Sequence, residues 1–325
     1  MSRERALASL RALEAEPLFA GPTPIDEMTR LRAALGGGPR LLVKRDDAIP
    51  FGFGGNKVRK LALVAAQARA EGALTLVTTG GVQSNHCRAT AATAARLGLA
   101  CHLVINGERP KTPRANALLD ELFGASTEYV ATREERAPAV AQAGIRLAAH
   151  GRRPFAIPLG ASTPLGALAY ARAIDELRGQ GVEPSIIVHA TSSGGTQAGL
   201  LAGVALLGLR TRVVGVSADA PSSELKPVVL GLARAALEAL GLSGDHLDPN
   251  AVEVDDTFVG AGYGIPSEAS REAAQLAARQ EALLVDHTYT AKALAAVVAG
   301  VRSSRFGRDD TVLFWHTGGQ VGLFA

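Results

Sequence analysis

Short apolar runs and longer amphipathic segments take turns along most of this 325-residue chain. Residues 40–44, 74–79, 101–105, 127–130, 155–158, 185–189, 212–217, 283–286 and 311–315 are brief and mostly rich in Val, Ile, Leu and Thr, the pattern of buried strands. Between them, Ala- and Leu-rich stretches read as helices from Lys57 to residue 70 and over 84–97, 112–123, 137–150, 165–178, 193–207, 225–240, 268–280 and 291–301. Thr112 and Pro113 suit an N-cap and a first helical position. Residues 1–40 read as a polar lead-in with one short helix ending at Gly36-Gly37-Gly38. Strand–helix alternation on this scale predicts a parallel, doubly wound α/β protein. The pattern restarts after Gly160, which predicts two domains with a cleft between them.

Composition narrows the class. Apolar residues make up 47% of the chain and aromatic residues only 4%, which suits Ala- and Gly-packed helices on a sheet and excludes disorder. The net charge is +3 with both signs interspersed, so there is no polybasic stripe for nucleic acid or anionic lipid. The longest apolar run, near 200–209, is about half of what a bilayer requires. Two cysteines, Cys87 and Cys101, give no disulfide framework, and the first residues lack the apolar stretch of a signal peptide. A cytoplasmic location is expected.

The lysines carry the first chemical signal. There are six, among 34 basic residues, so the chain writes Arg where a solvated charge suffices. Lys57 follows Gly54-Gly55-Asn56 at the start of a helix. A guanidinium cannot give up its proton and attack a carbonyl, whereas a desolvated ammonium can. Lys57 is therefore a candidate for a Schiff base with an aldehyde cofactor. Ser193-Gly194-Gly195-Thr196 joins an apolar strand to an apolar helix, and a helix N-terminus with two glycines and two hydroxyls suits a phosphate. Asp219, at the end of the next strand, leaves a dinucleotide site open, although the glycine spacing does not match that fingerprint. Gly80-Gly81-Val82-Gln83-Ser84-Asn85-His86 forms a second such junction, with Ser84 as the N-cap beside a substrate carboxylate and Asn85 able to bond a phenolic oxygen. Tyr263 and Tyr289 stand beside turns as acid/base or orienting groups, and Thr317 ends a buried strand where its hydroxyl can meet a heterocyclic nitrogen. His86-Cys87 and Cys101-His102 match no zinc spacing, so no metal is expected.

Taken in order, Gly54-Gly55-Asn56-Lys57-Val58-Arg59-Lys60-Leu61, Gln83-Ser84-Asn85-His86, Ser193-Gly194-Gly195-Thr196, Gly262-Tyr263-Gly264, Tyr289-Thr290 and His316-Thr317-Gly318-Gly319 resemble the pyridoxal-phosphate enzymes of the D-cysteine desulfhydrase and 1-aminocyclopropane-1-carboxylate (ACC) deaminase family. The resemblance runs from about Thr23 to the last residue. It implies a tryptophan-synthase-β type of fold, with a larger cofactor-binding domain over 1–50 and 161–325, a smaller substrate-side domain over 51–160, and a homodimer. It also implies that Lys57, next to Asn56, carries pyridoxal 5'-phosphate. Asn85 would bond its phenolic oxygen, Ser193, Gly194, Gly195 and Thr196 would hold its phosphate, and Thr317 would face its ring nitrogen. Ser84, Asn85, His86, Tyr263 and Tyr289 would meet a small amino acid, with Ser84 and the tyrosines also candidates for catalysis.

The expected reaction is α,β-elimination, best matched by conversion of D-cysteine to pyruvate, sulfide and ammonia. ACC deaminases of this family carry Tyr-Glu where this chain has Tyr289-Thr290, and Leu where it has Thr317, while desulfhydrases carry the residues found here. A neutral hydroxyl beside the ring nitrogen makes a weaker electron sink than a carboxylate. Expelling a thiolate needs less of a sink than opening a cyclopropane. His287, Gln320 and Ala261 depart from the family pattern and are candidate pocket-lining positions, which keeps open ACC deamination or elimination from another β-substituted amino acid. Outside the family, an NAD-dependent oxidoreductase using Gly194, Gly195 and Asp219, or a silent small-molecule binding protein, also stands.

Overall fold

The computed structural model describes residues 2–325. The chain opens with α1 (Arg3–Ala12), β1 (Ile25–Glu27), α2 (Thr29–Ala34) and β2 (Arg40–Arg45). It continues through α3 (Asn56–Ala70), β3 (Thr75–Gly81), α4 (Asn85–Leu97), β4 (Ala100–Asn106), α5 (Ala115–Leu122), β5 (Ser126–Val130), α6 (Arg136–Ala149) and β6 (Pro154–Ala156). Then follow α7 (Pro164–Gly179), β7 (Ile186–Thr191), α8 (Gly195–Leu207), β8 (Arg212–Ser217), α9 (Ser222–Ala239) and β9 (Glu253–Asp255). The last elements are α10 (Glu268–Glu281), α11 (Thr290–Arg302) and β10 (Thr311–His316).

These strands form two sheets. The larger has the order β1-β2-β10-β7-β8-β9 and the smaller β5-β4-β3-β6. All ladders are parallel except β1 against β2 at one edge of the larger sheet. The parallel ladders require covering helices on both faces, and the apolar strands are buried accordingly. One face of the larger sheet packs on α1, α7, α8 and α9, and the other on α2, α10 and α11. A third core joins α3, α4 and the smaller sheet. Helix α8 can sit tightly on α7 because Gly199 and Gly203 offer no side chain there: a Cβ on Gly199 would stand 2.0 Å from the Ala167 carbonyl oxygen.

The architecture is the α/β, two-domain, mainly parallel one that the alternation predicts. Three local expectations need correction. Residues 283–286 form no ladder with any strand among the described residues, although Leu283 and Val285 are buried as a strand's inward residues would be. Helix α5 starts at Ala115 rather than at Thr112-Pro113, because its first turn is capped from a distance: the Asn116 N–H donates to Gln83 Oε1 at 3.0 Å. The lead-in holds α1, whose Ala6 and Leu10 are buried, and the three-residue strand β1. No helix among the described residues is long and apolar enough to cross a membrane.

A buried charge hub ties the larger sheet to the segment leading into α3. Asp46 is fully buried and accepts from Arg59 Nε at 2.9 Å, Trp315 Nε1 at 2.8 Å, Thr23 Oγ1 at 3.1 Å and the Tyr170 hydroxyl at 2.5 Å. Glu176 bonds Arg59 and Lys44 from the other side. The Asp46 carbonyl oxygen accepts from the Gly55 N–H at 2.8 Å, two residues before Lys57.

Candidate active site

One cleft opens between the two sheets, at the carboxyl ends of β3, β4, β7 and β10, where open parallel sheets hold ligands. Its walls include Asn56, Lys57, Ser84, Asn85, His86, Ser193, Gly194, Thr196, Tyr263, Tyr289 and Thr317. Gly195, His287, Gln320 and Ala261 are not part of that wall.

Lys57 reaches the cleft because the chain before it packs backbone to backbone. Gly55 has φ +95, and a Cβ there would stand 2.8 Å from the Thr317 carbonyl oxygen. That same oxygen accepts from the Asn56 N–H at 3.0 Å. Lys57 Nζ donates to Asn56 Oδ1 at 2.9 Å, and Asn56 Nδ2 donates to Thr196 Oγ1 at 3.0 Å, so the lysine and the glycine-rich turn are linked through one amide. Burial, with the Arg88 cation adding and Asp286 opposing, lowers the Lys57 ammonium from 10.5 to about 8. About one amine in ten is then neutral at pH 7.

Between pH 8 and 10.5 the unfolded chain binds more protons at this group, so its penalty on the cofactor-free fold, full below pH 8, is relieved as pH rises through that window. The rate at which cofactor-free protein captures added pyridoxal phosphate is expected to rise with pH to a midpoint near 8; a midpoint near 10.5 would show an ordinary lysine.

A second lysine, to which the motif alone assigns no role, stands close by. Lys60 is 1% exposed, and among the described residues its Nζ donates only to the Gly160 carbonyl, at 3.2 Å. Burial, with Lys57 adding, pushes it well below the usual lysine value. A Cβ on Gly195 would come within 2.9 Å of this Nζ and 2.6 Å of Ser162 Oγ, so the glycine keeps clear a space rimmed by an amine and a hydroxyl. Ser193 Oγ bonds Ser162 Oγ at 2.8 Å on the same rim. A buried, under-partnered amine beside a helix N-terminus suits an anion, which would favour its protonated form. This donor set fits the phosphate of pyridoxal phosphate. The scarcity argument that singles out Lys57 applies equally to Lys60.

Across the cleft, Ser84 caps α4 by accepting from the Cys87 N–H at 3.2 Å. Thr78 Oγ1 donates to the Ile157 carbonyl at 2.7 Å and lies 2.8 Å from His86 Nε2, so it accepts from that nitrogen. Burial first, then Lys57 and Lys60, push the His86 pKa well below the ordinary value, which favours the neutral ring, and its Nδ1 has no hydrogen-bond partner among the described residues. The hydroxyls of Tyr263 and Tyr289 bond each other, and their rings meet edge to face at 5.7 Å. Burial is the largest cause raising both phenols, so they stay protonated near neutral pH.

Asp286 and Lys292, which are not part of the cleft wall, hold residues that are, and Arg133 and Asp219 pair within the wall itself. Asp286 accepts from the N–H groups of Thr288, Tyr289 and Thr290 and from the Thr290 hydroxyl at 2.7 Å. The Thr290 hydroxyl is thus committed to Asp286. Lys292 donates to the carbonyls of Val259 and Gly262 at 2.7 and 2.9 Å and so anchors the Tyr263 loop. Arg133, from the loop between β5 and α6, bonds Asp219 at 2.5 Å and lies 5.2 Å over the Tyr263 ring. Asp219 is thereby engaged by a guanidinium rather than free for a ribose.

The comparisons agree with this geometry. The family model described as "Pyridoxal-phosphate dependent enzyme" matches residues 17–318. The chain belongs to that family. Within it, the chain is 37% identical over 316 residues to a D-cysteine desulfhydrase of Klebsiella pneumoniae (strain 342), covering 95% of this chain and 94% of that one. The crystal structure of an ACC deaminase homologue superposes with a TM-score of 0.90 at 31% identity, over 98% of this chain and 96% of that one. A pyridoxal 5'-phosphate-dependent aspartate racemase, 16% identical over 91% of this chain and 90% of that one with a TM-score of 0.68, shares the fold alone. The family members therefore share the tryptophan-synthase-β type of architecture seen here, and action on small amino acids goes with it.

Proposed function

We propose that this chain binds pyridoxal phosphate through Lys57 and catalyses α,β-elimination from a small amino acid, with D-cysteine as the substrate. The observation that carries the reading is the Lys57 amine, lowered to about 8, in a cleft between the N-termini of α4 and α8. When bound, pyridoxal phosphate supplies an aldehyde carbon for amines to attack and a ring that draws electrons from the α-carbon. Ser193, Gly194, Gly195 and Thr196 would hold its phosphate with Lys60, Asn85 its phenolic oxygen, and Thr317 its ring nitrogen.

The residues divide the remaining work. Ser84 and the first N–H groups of α4 suit a substrate carboxylate, since an anion is favoured at a helix N-terminus. Lys57, neutral in a useful fraction at pH 7, takes the α-proton. Tyr263 and Tyr289, both protonated, are donors and do not compete for it. The linked phenols also close one side of the cleft and limit water. With D-cysteine and one water the products are pyruvate, hydrogen sulfide and ammonia, and the proton taken by Lys57 is available to the departing sulfur.

The neutral Thr317 at the ring position, with the Thr290 hydroxyl held by Asp286, supports elimination of a good leaving group over ring opening. A panel of D-cysteine, β-chloro-D-alanine and ACC, read by 2-oxo acid release, tests it. Pyruvate from the first two with little product from ACC is expected. Turnover of ACC alone, with 2-oxobutyrate formed, overturns the substrate assignment.

A further inference from the structure

Asn116, the second residue of α5, is fully buried and does not line the cleft. Its side-chain Nδ2 donates to the Gln83 carbonyl oxygen at 2.9 Å and to Asn85 Oδ1 at 2.9 Å. A backbone carbonyl only accepts, so the atom of Asn116 that faces it must be the amide nitrogen. That nitrogen has a second proton, which points at Asn85, so Asn85 must answer with its oxygen. One backbone carbonyl therefore dictates the orientation of both amides, although oxygen and nitrogen look alike in shape. Asn85 Nδ2 is left facing the other way, toward the turn after β10, where a Cβ on Gly319 would stand 3.2 Å from it. Among the described residues the Asn85 side chain bonds only Asn116.

We infer that Asn116 is a positioning residue that makes Asn85 present an N–H donor, not a carbonyl acceptor, to the phenolic oxygen of the cofactor. The inference rests on the proposed binding of pyridoxal phosphate. A donor stabilises a phenolate oxygen, whereas an acceptor in its place repels it. Among the described residues the Asn116 Oδ1 has no partner, so the residue costs stability that an apolar side chain would not, and its amide nitrogen is what the position supplies. The Asn116 backbone N–H stays on Gln83 Oε1 whatever side chain follows, so substitutions leave the start of α5 in place.

Asn116→Asp keeps the shape and removes the donor. Asn85 must then turn its nitrogen toward position 116 and its oxygen toward the cofactor. The dissociation constant for pyridoxal phosphate, measured on cofactor-free protein by fluorescence titration, is expected to rise on the order of tenfold to a hundredfold, the size of one hydrogen bond to a charged group. The visible absorption band should give way to a near-ultraviolet one as the phenolic oxygen takes up a proton. Asn116→Ala, which frees Asn85 to take either orientation, should show a smaller loss and carries the test if the aspartate variant does not fold. In an Asn85→Ala background neither substitution should change affinity or spectrum further. Wild-type affinity and spectrum in both single variants, or an undiminished loss in the Asn85→Ala background, would overturn the inference. If wild-type protein binds no pyridoxal phosphate at all, the cofactor reading falls and this inference with it, an outcome distinct from either of those.

Discussion

Lys57→Ala is expected to lower turnover of D-cysteine by at least 10²–10⁴-fold, the usual cost of one positioned acid/base group, and to remove covalent cofactor retention as well. Both losses come from one atom, because the same amine would hold the cofactor and take the α-proton. Lys60 is the obvious rescuer, since burial pushes its pKa well below the usual lysine value too. Geometry argues against rescue. Lys60 is 1% exposed, bonds the Gly160 carbonyl and is absent from the cleft wall that Lys57 occupies. A phosphate beside it would also keep it protonated. Lys60→Met is accordingly expected to weaken cofactor affinity while leaving attachment at Lys57 intact. Turnover of Lys57→Ala within about tenfold of wild type would mean that another group does the chemistry.

Asp46→Ala is expected to destabilise the fold by about 3–5 kcal/mol, a large share of what a protein of this kind has in reserve. The Asp46 carboxylate is fully buried and receives four donors, one of them the Arg59 guanidinium. Deleting it strands Arg59 beside Lys44 with Glu176 as their shared carboxylate partner, and leaves the Trp315 and Tyr170 donors without one. Trp315 is the chain's single tryptophan, and its indole N–H is one of those four donors. Its emission in urea therefore reads the hub directly. A fall in the urea midpoint with unchanged slope is expected. A loss under about 1 kcal/mol would mean that water or rearranged side chains satisfy these groups. The hub also bears on the site, since the Asp46 carbonyl bonds the Gly55 N–H just before Lys57.

The strand and helix periods were enough to read the α/β alternation because they depend only on neighbours in sequence. Where the reading failed, a distant partner decided. Residues 283–286 have the inward Leu283 and Val285 of a strand, but only a neighbouring backbone makes a ladder, and none lies alongside. Thr112-Pro113 is a sound local cap that loses to Gln83, which is far away in sequence and caps α5 two residues later. Strands β1 and β9 are too short for any period to show. The cleft residues were legible for a different reason. Glycine turns that let segments approach closely are written in the residues themselves, as at Gly54-Gly55 and Gly194-Gly195. The supporting groups Lys60, Asn116, Asp286 and Lys292 act through tertiary contacts. Only the rarity of lysine in this chain could have flagged two of them.

The central claim is that the cofactor is joined to Lys57. Purified protein should be reduced with borohydride, digested, and its lysine-bearing peptides weighed. The account predicts one pyridoxyl group per chain, on the peptide containing Lys57, and none on that peptide when the protein is stripped of cofactor beforehand. A pyridoxyl group on Lys60 or any other lysine, or on none, would contradict it.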